Sequence, residues 1–297
     1  MIPFKDLCLE DRDTILKYTL PSQNASCDLS FSSLMAWKFM YDTQFAIIED
    51  FLVFRYHDGI KTAYMIPIGT GNDIEPVINL LIEDAKLHGF PFLMLASHNY
   101  LNKKLTEKQM ERFSFSCNRN LSEYVYNRED LALLKGSKYQ AKRNHVNKFR
   151  NTYSKWEYKV LTPELVGDCL SMEKEWYQAN IDKDSESIEL ERRALTFTLH
   201  HIQDTGALGG VLCVDCQIAA FTLGCPINYE TFDVQFEKAD TKFEGAYTVI
   251  NQLFVQHLPE KYIFINREED LGLEGLRHAK SSYHPVKMLD RCMMTLK

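Results

Sequence analysis

A group of charged residues near the end of the chain has the residue types that acid–base chemistry needs. Residues 267–285 read REEDLGLEGLRHAKSSYHP, which brings Glu269 and Asp270 close in sequence to Arg277 and Lys280. A carboxylate can bind or deprotonate an amine, and a cationic side chain can stabilise developing negative charge. This segment is therefore the first candidate for a functional site.

The same residues also fit a purely structural interpretation. Arg277 and Lys280 are spaced so that they could pair with acidic residues of the same segment. Leu276, Ala279 and Tyr283 would form the buried stripe of a short helix. Both interpretations stay open at this point.

The elements just before this segment predict how it is positioned. Residues 231–240 alternate apolar and polar side chains as a half-buried strand does, and 241–246 form a turn-prone loop containing Gly245. Helical spacing over 247–258 and a short apolar strand at 262–266 follow. A strand, a glycine loop, a helix and a parallel strand can cradle an anionic group, although an ordinary structural βαβ unit has the same pattern.

The order of elements occurs twice along the chain, about 170 residues apart. Each copy reads as helices, an antiparallel meander and a strand–loop–helix–strand crossover, which predicts an α/β (α+β) fold. The corresponding segments are 45–68 and 207–227, 74–88 and 245–258, and 92–94 and 263–265. We predict domains at 1–134 and 156–297, joined by a bridging helix at 135–155.

The bridging helix is strongly basic. Residues 131–156 contain no Asp or Glu, and Ser137 with Gln140 matches a capping box. Seven basic residues lie in this stretch: Lys135, Lys138, Lys142, Arg143, Lys148, Arg150 and Lys155. The helix is either a solvated linker or a cover for a phosphate-bearing donor, and tRNA is a third partner that its charge allows.

Composition is that of a soluble globular protein. The 297 residues carry a net charge of −7, with 45% hydrophobic residues and no apolar run long enough to span a bilayer. Because the N-terminus lacks signal-peptide features, we expect a cytoplasmic protein without stable membrane insertion. The eight cysteines are expected to be reduced, and Cys213 and Cys216 to flank a hairpin turn rather than bind a metal.

Three segments resemble a known family. LLKGSKYQAKRNHVNKF (133–149), FEGAYTVINQLF (243–254) and INREEDLGLEGLRHAKSSYHP (265–285) are similar to the phosphatidylglycerol lysyltransferase C-terminal-like family, which is related to the Fem aminoacyltransferases. The resemblance implies two tandem GNAT-like acyltransferase domains. Each would be a mixed, mostly antiparallel sheet flanked by helices.

The resemblance also implies a reaction. An acyl or aminoacyl group would move from a donor, acyl-CoA or aminoacyl-tRNA, to an amine or hydroxyl of a small-molecule or peptide acceptor by direct attack. Glu269, Asp270 and Lys280 are the implied catalytic residues, and no metal or certain cofactor is expected. The implied donor- or substrate-binding residues are Lys142, Arg143, Asn144, Asn147, Gly245, Arg277 and Tyr283.

Two departures from the family pattern support an alternative. Tyr247 stands where the coenzyme A loop of GNAT enzymes has a small residue, and the membrane domain of the lysyltransferases is not found here. The alternative function is a non-catalytic binding module of GNAT-like fold for an acyl, aminoacyl or other anionic ligand.

Overall fold

The computed structural model describes residues 1–71, 73–180 and 185–297. In these ranges the strands are β1 (Lys5–Asp6), β2 (Gln44–Ile48), β3 (Phe51–His57), β4 (Thr62–Met65), β5 (Ile68–Gly69), β6 (Leu93–Ala96), β7 (Phe113–Cys117), β8 (Glu123–Asn127), β9 (Trp156–Val160), β10 (Leu208–Val214), β11 (Gln217–Pro226), β12 (Thr231–Ala239), β13 (Phe264–Asn266), β14 (Lys287–Leu289) and β15 (Cys292–Leu296).

The helices of the same ranges lie between and around these strands. They are α1 (Arg12–Thr19), α2 (Phe31–Ala36), α3 (Lys38–Tyr41), α4 (Glu75–His88), α5 (His98–Leu101), α6 (Glu107–Met110), α7 (Arg128–Leu133), α8 (Gln140–Thr152), α9 (Val166–Asn180), α10 (Ser185–His200), α11 (Ile202–Thr205), α12 (Ala246–His257) and α13 (Glu274–Ser281). None of the helices in this part of the chain combines the length and hydropathy that crossing a bilayer requires.

Two mixed sheets form the framework. The first has the order β1-β2-β3-β4-β6-β15-β7 with β5 paired to β3, and the second has the order β14-β8-β13-β12-β11-β10-β9. In each sheet one pair is parallel, β4 with β6 and β12 with β13, and the other pairs are antiparallel. The parallel pairs belong to the two predicted crossovers, so the predicted mixed, mostly antiparallel sheets are confirmed.

The two halves of the chain exchange one strand each. β8, from the first half, lies between β13 and β14 of the second sheet, and β15, from the end of the chain, lies between β6 and β7 of the first. The exchanged strands hold corresponding places in the two sheets, as expected for a duplicated unit. The predicted domain limits at 134 and 156 stay a prediction, because each sheet contains a strand from the other half.

Buried apolar side chains fill both halves and the region between them. One cluster surrounds the first sheet and another lies between α12 and the second sheet. A third cluster brings Ala36 of α2 against Leu195 of α10 and Phe221 of β11, so it joins the halves. Burying a Leu or Phe side chain stabilises the fold by about 1.5–3 kcal/mol, and this cluster therefore holds the halves firmly together.

The second crossover forms largely as predicted. β12 and α12 begin and end within one or two residues of the predicted limits. Gly245 precedes α12 with a φ of +89°, and a Cβ there would lie 3.0 Å from the His145 carbonyl oxygen of α8. Only glycine meets both demands without strain, so packing against α8 explains this residue.

The start of the basic helix differs from the prediction. A 3₁₀ turn at Ser137–Tyr139 leads into α8, so the N-cap positions are Gly136 and Tyr139 rather than Ser137, and neither has a side-chain capping hydrogen bond. Gln140 instead accepts from Arg143 at 2.6 Å and donates to Asn144 at 2.8 Å. The predicted capping box is wrong, because the Gln140 side chain is hydrogen-bonded to Asn144 and Arg143 of α8.

Two of the cysteines correct the expectation of reduced thiols. Cys117 and Cys292 form a disulfide between β7 and β15, whereas Cys213 and Cys216 are free. Cys213 pairs with Ile218 one residue before the end of β10, and Cys216 has a positive φ in the turn to β11. The predicted hairpin at this pair is confirmed. The disulfide could not be predicted, because its partners lie 175 residues apart.

Candidate active site

The opening left in the second sheet where β12 and β13 stop pairing organises the site. β12 and β13 pair over 231–233 and 264–266, after which β12 continues to Ala239 paired with β11 and without β13. Helix α2 of the first half reaches this opening, where the Ser32 hydroxyl donates to Gln235 Oε1 of β12 at 2.9 Å. Both halves of the chain therefore build the walls of the opening.

Glu123, the first residue of β8, is buried beside this opening. Its carboxylate accepts hydrogen bonds from the Ser26 hydroxyl at 2.6 Å, from Cys27 N at 2.9 Å and from the Asn266 side chain. Burial, followed by the nearby charge of Asp28, raises the pKa of Glu123 to about 7. A carboxyl with this pKa exchanges a proton near neutral pH, as a general base must.

Asp233 of β12 belongs to the same acidic group. It is completely buried, and neither of its carboxyl oxygens has a partner in good hydrogen-bond geometry among the described residues, although the nearby Ser30 hydroxyl partly lowers its pKa. Burial and then the charge of Glu123 raise its pKa well above the usual range, with Glu269 and Asp28 adding to the effect. A buried carboxyl without a partner is costly, so it indicates a place for a missing ligand group.

Glu268 adds a further carboxyl at a strained position. It follows β13 with a φ of +55°, and its backbone N–H donates to Asn266 Oδ1 at 2.8 Å. Burial, then Asp233 and Glu269, raise the pKa of Glu268 well above the usual range. Strained backbone of this kind is concentrated at functional sites. We define the acidic cluster as Asp28, Glu123, Asp233, Glu268 and Glu269.

Two cations lie against the acidic cluster. Arg291 pairs with Asp28 at 2.7 Å and lies 3.9 Å from Glu269, and these carboxylates raise its pKa although burial opposes them. Lys280 is nearly buried, and its ammonium donates to the carbonyl oxygens of Arg267 and Glu269. Burial lowers the pKa of Lys280, which keeps one of its three N–H groups for a further acceptor.

Asp270 has a different environment from the other acids. Its buried carboxylate accepts from Arg277 at 2.8 and 2.9 Å, from the Tyr124 hydroxyl at 2.6 Å and from Arg119 at 3.2 Å. The bond from Arg277 holds the pKa of Asp270 well below its usual range. A carboxylate so fully bonded is a weak base, and its geometry suits fixing the turn that carries Glu268 and Glu269.

A second charged group lies on the α8 side of the opening. Lys142 stands 3.9 Å from the ring centre of Tyr283, and Arg267 pairs with Glu237 at 3.0 Å. Burial and then Arg267 lower the pKa of Lys142 to about 8. One guanidinium nitrogen of Arg267 is buried without a partner among the described residues. This group can bind the negatively charged part of a ligand.

A cavity of about 570 Å³ opens beside the acidic cluster. Asp28, Glu123 and Arg291 line it, together with the loop 20–29, the ends of β4 and β6, and residues 287–289. The cavity is large enough for an amino-acid-sized group together with part of an acceptor.

The structure brings some of the predicted residues together and separates others. Glu269, Asp270, Arg277, Lys280 and Tyr283 lie around one turn, and Lys142 reaches the same group through Tyr283.

The remaining predicted residues have other surroundings. Arg143 donates to the carbonyl oxygens of Leu134 and Gly136, so it holds the loop before α8. Asn144 and Asn147 are exposed on the outer face of α8.

Backbone N–H groups of the loop before α12 already donate hydrogen bonds within the protein. The backbone N–H groups of residues 242, 243, 244 and 246 donate to Asp240 Oδ1, Asp240 O, the Tyr153 hydroxyl and Phe243 O, respectively. These N–H groups are therefore not free to surround the phosphates of coenzyme A. The role predicted for Gly245 as a donor-binding residue stays a prediction.

Sequence reasoning did not find Asp28, Glu123 or Asp233, because they come from three distant segments. Asp233 gave no signal, because it falls with Gln235 and Glu237 on the polar face of an alternating strand. Glu123 and Asp28 gave none, since their meeting depends on the strand exchange.

Comparison with known proteins decides the family. The model of the family described as phosphatidylglycerol lysyltransferase, C-terminal, matches residues 21–295. The chain belongs to this family. It is therefore a protein of the acyl- and aminoacyltransferase class, and the resemblance found in its sequence is confirmed.

Solved structures of similar proteins agree with this family. A conserved protein of unknown function from Bacteroides thetaiotaomicron shares 51% identity over the whole of both chains, with a TM-score of 0.95. L-PGS from Bacillus licheniformis is 14% identical, covers 99% of this chain and 93% of its own, and has a TM-score of 0.67.

FemX is 6% identical over 100% of this chain and 98% of its own, with a TM-score of 0.65. The similarities to L-PGS and FemX concern the fold, and they agree with two tandem GNAT-like domains. No curated protein matches the chain.

Proposed function

We propose that the protein is an aminoacyltransferase, which moves an aminoacyl group from an activated ester to an amine or hydroxyl acceptor. The observation that carries the proposal is the acidic cluster, which reaches the cavity at Asp28 and Glu123 and includes Asp233, buried behind them without a cationic partner among the described residues. The ammonium group of an aminoacyl donor would supply the charge and the hydrogen bonds that this carboxyl lacks. A neutral acyl group would not.

The donor proposed is aminoacyl-tRNA rather than acyl-CoA. The engaged backbone of residues 242–246 supports this choice, because a pyrophosphate would have to displace bonds within the protein. Lys142 and Arg267 are proposed to hold the phosphate or ribose next to the transferred group. Lys135, Lys138 and Lys148 of the basic segment 135–155 are each paired with an acid, as in Lys148 with Glu244 at 2.7 Å, so binding of a whole tRNA is expected to be weak and salt-sensitive.

The reaction proposed is direct attack without an enzyme-bound intermediate. The acceptor nitrogen or oxygen bonds to the ester carbonyl carbon while its proton passes to Glu123. The ester C–O bond then breaks, and the leaving ribose oxygen takes up the proton held by Glu123, which returns the base to its starting state.

Lys280 would stabilise the oxyanion through its remaining N–H, and Asp270 with Arg277 would position the turn. Burial raises the pKa of the Cys27 thiol well above its ordinary value, which argues against a thiolate nucleophile.

The acceptor is proposed to be a small molecule or peptide in the cytoplasm. The cavity supports this size class, since its volume of about 570 Å³ leaves room for one amino-acid-sized acceptor group besides the donor's.

Ligand binding followed by transfer tests the function. Isothermal titration with alaninamide and lysinamide should show binding, whereas the N-acetylated amides should not bind. Asp233→Asn should weaken binding of the amides about 10- to 100-fold, which is the loss expected for a hydrogen bond to a charged group. Asp73→Asn, which changes an exposed acid at the start of α4 away from the cavity, should leave binding unchanged.

Transfer is then measured with labelled aminoacyl-tRNA and a panel of amines and peptides, beside a panel of acyl-CoA compounds. Transfer from acyl-CoA, or equal binding of the N-acetylated amides, would contradict the proposal.

A further inference from the structure

A disulfide joins an edge strand to the exchanged strand of the first sheet. Cys117 ends β7 and Cys292 begins β15, and the two lie directly opposite each other in the antiparallel register. Cys117 is exposed, whereas Cys292 is completely buried. Because β7 is at the edge of the sheet, a dithiol in solution can reach the Cys117 sulfur in the folded protein.

The disulfide lies next to a cation of the acidic cluster. Arg291 immediately precedes Cys292, and its guanidinium pairs with Asp28 at 2.7 Å and lies 3.9 Å from Glu269. The Arg291 carbonyl also accepts from Asn118 N at 3.2 Å. The covalent link therefore helps to hold the backbone that carries Arg291.

The other end of the disulfide leads to the same site. Arg119 follows Cys117 by two residues and pairs with Asp270 at 3.2 Å, while it donates to the Tyr124 hydroxyl at 2.8 Å. The disulfide thus ties together two segments that each deliver an arginine to the turn after β13. This placement distinguishes it from a crosslink remote from the site.

We propose that Cys117 and Cys292 form a reversible thiol–disulfide site, whose redox state sets how firmly Arg291 is held in the acidic cluster. The proposal rests on the cytoplasmic location proposed above, since disulfides in reducing compartments are usually transient and catalytic or redox-sensing. The disulfide form holds the backbone at Arg291 firmly in place. In the dithiol form this backbone, and with it the Arg291 side chain, is held less firmly.

The reductant is a cellular dithiol, and the exchange balances. A thiolate of the dithiol attacks the Cys117 sulfur and forms a mixed disulfide, and Cys292 leaves and takes up a proton. The second thiol of the reductant then displaces Cys117, which also takes up a proton, and closes the reductant's own disulfide. Two electrons and two protons have moved from the dithiol to the protein.

Reduction leaves β15 in its backbone ladder between β6 and β7 but removes the covalent link beside Arg291. Asp28 and Glu269 then have a less firmly held counter-charge. We expect two segments to open more often, residues 289–296 around Arg291 and residues 24–30 around Asp28.

Hydrogen exchange followed by mass spectrometry tests this on the purified full chain. Dithiothreitol should raise the number of titratable thiols in the unfolded, alkylation-mapped protein from the six free cysteines by two. Exchange in peptides covering 24–30 and 289–296 should become about tenfold faster in the reduced protein and return on reoxidation. The Tm should fall by about 5–10 °C.

Two variants distinguish a reversible thiol–disulfide site that acts on Arg291 from a crosslink that only stabilises the fold. Cys117→Ser should behave as the reduced protein with or without dithiol, whereas Cys8→Ser, which removes an exposed free thiol, should respond as wild type. A disulfide that resists dithiothreitol in the folded protein would overturn the proposal. So would faster exchange confined to β7 and β15 with residues 24–30 unchanged. No readout uses a substrate, so failure of the proposed transferase reaction is recognised separately.

Discussion

The two copies of the crossover place an acidic side chain at the same point and use it differently. In the first, Asp290 just before β15 accepts from the Ser97 hydroxyl at 2.6 Å and from His98 N at 2.8 Å, in the turn after β6. In the second, Glu123 at the start of β8 accepts from Asn266 at the end of β13. Asp290 is partly exposed and caps α5, whereas Glu123 is buried among other carboxyls.

The N-terminal ends of the two crossover helices, α4 and α12, also differ in their surroundings. Glu75 N at the start of α4 donates to Asp73 Oδ1 at 2.9 Å, so an exposed acid of the protein occupies the end where an anion would bind. At the start of α12 the loop is held by Asp240 and Tyr153 and is covered by α8. The two copies therefore share a scaffold, while burial and nearby like charge raise the pKa values of acids in the second copy.

The largest expected difference between the copies concerns stability. Asp270→Asn should lower the free energy of unfolding by about 2–3 kcal/mol, because it weakens the charge-assisted hydrogen bonds from the half-exposed Arg277 and Arg119. Asp73→Ala, at the first copy, should cost only about 1 kcal/mol as a lost helix cap. Urea denaturation at pH 7 measures both.

The pH dependence sharpens this test. Because the pKa of Asp270 is depressed in the folded state, its contribution is present above the unfolded pKa of 3.8 and is lost as the pH falls below it. The stability of Asp270→Asn should therefore fall less between pH 4 and pH 2 than that of wild type. Similar losses for Asp270→Asn and Asp73→Ala would remove the contrast between the copies.

A second difference is expected in activity. Glu123→Gln should reduce the transfer rate about 100-fold or more, because it removes a general base, whereas Asp73→Asn, at an exposed acid of the first copy outside the cavity, should retain the rate within about threefold. The wild-type rate should rise with pH through about 7 as the acidic cluster loses a proton. Steady-state transfer assays from pH 5.5 to 8.5 measure this.

Stability gives an independent check on Glu123. Since its folded pKa is raised from 4.5 to about 7, it contributes stability below pH 4.5 that is lost as the pH rises through 7. Glu123→Gln should flatten this part of the stability curve. An unchanged pH–rate profile in this variant would exclude Glu123 as the base.

The smallest expected effect concerns Lys142. Lys142→Met should weaken binding of 3′-aminoacylamido-adenosine 5′-phosphate about tenfold, the loss of one charged contact. Lys148→Met, on the exposed side of the same helix, is the matched control and should bind normally.

The folded pKa of Lys142 is lowered to about 8, so wild type should gain stability as the pH rises from 8 toward 10.5, and Lys142→Met should lack this gain. Equal binding by both lysine variants would place the donor elsewhere.

Much of the local structure could be predicted from periodicity. The limits of β12 and α12, the Cys213–Cys216 hairpin and the helical part of the basic segment follow from patterns within about 15 residues. The turn from Glu269 to Lys280 was found because its charged residues are close in sequence. Arg143, Asn144 and Asn147 shared the basic segment with Lys142, but helix rotation turns only Lys142 inward with Val146 and Phe149.

The sequence by itself determined the repeated elements, the family and one charged turn, because these depend on neighbours along the chain. Only the tertiary structure decided which acids meet. The strand exchange brings Glu123 to Asn266 and Arg291 to Asp28, and it pairs Cys117 with Cys292. The surroundings then give two buried acids different proton affinities. Burial raises the pKa of Glu123, whereas ion pairing holds the pKa of Asp270 low.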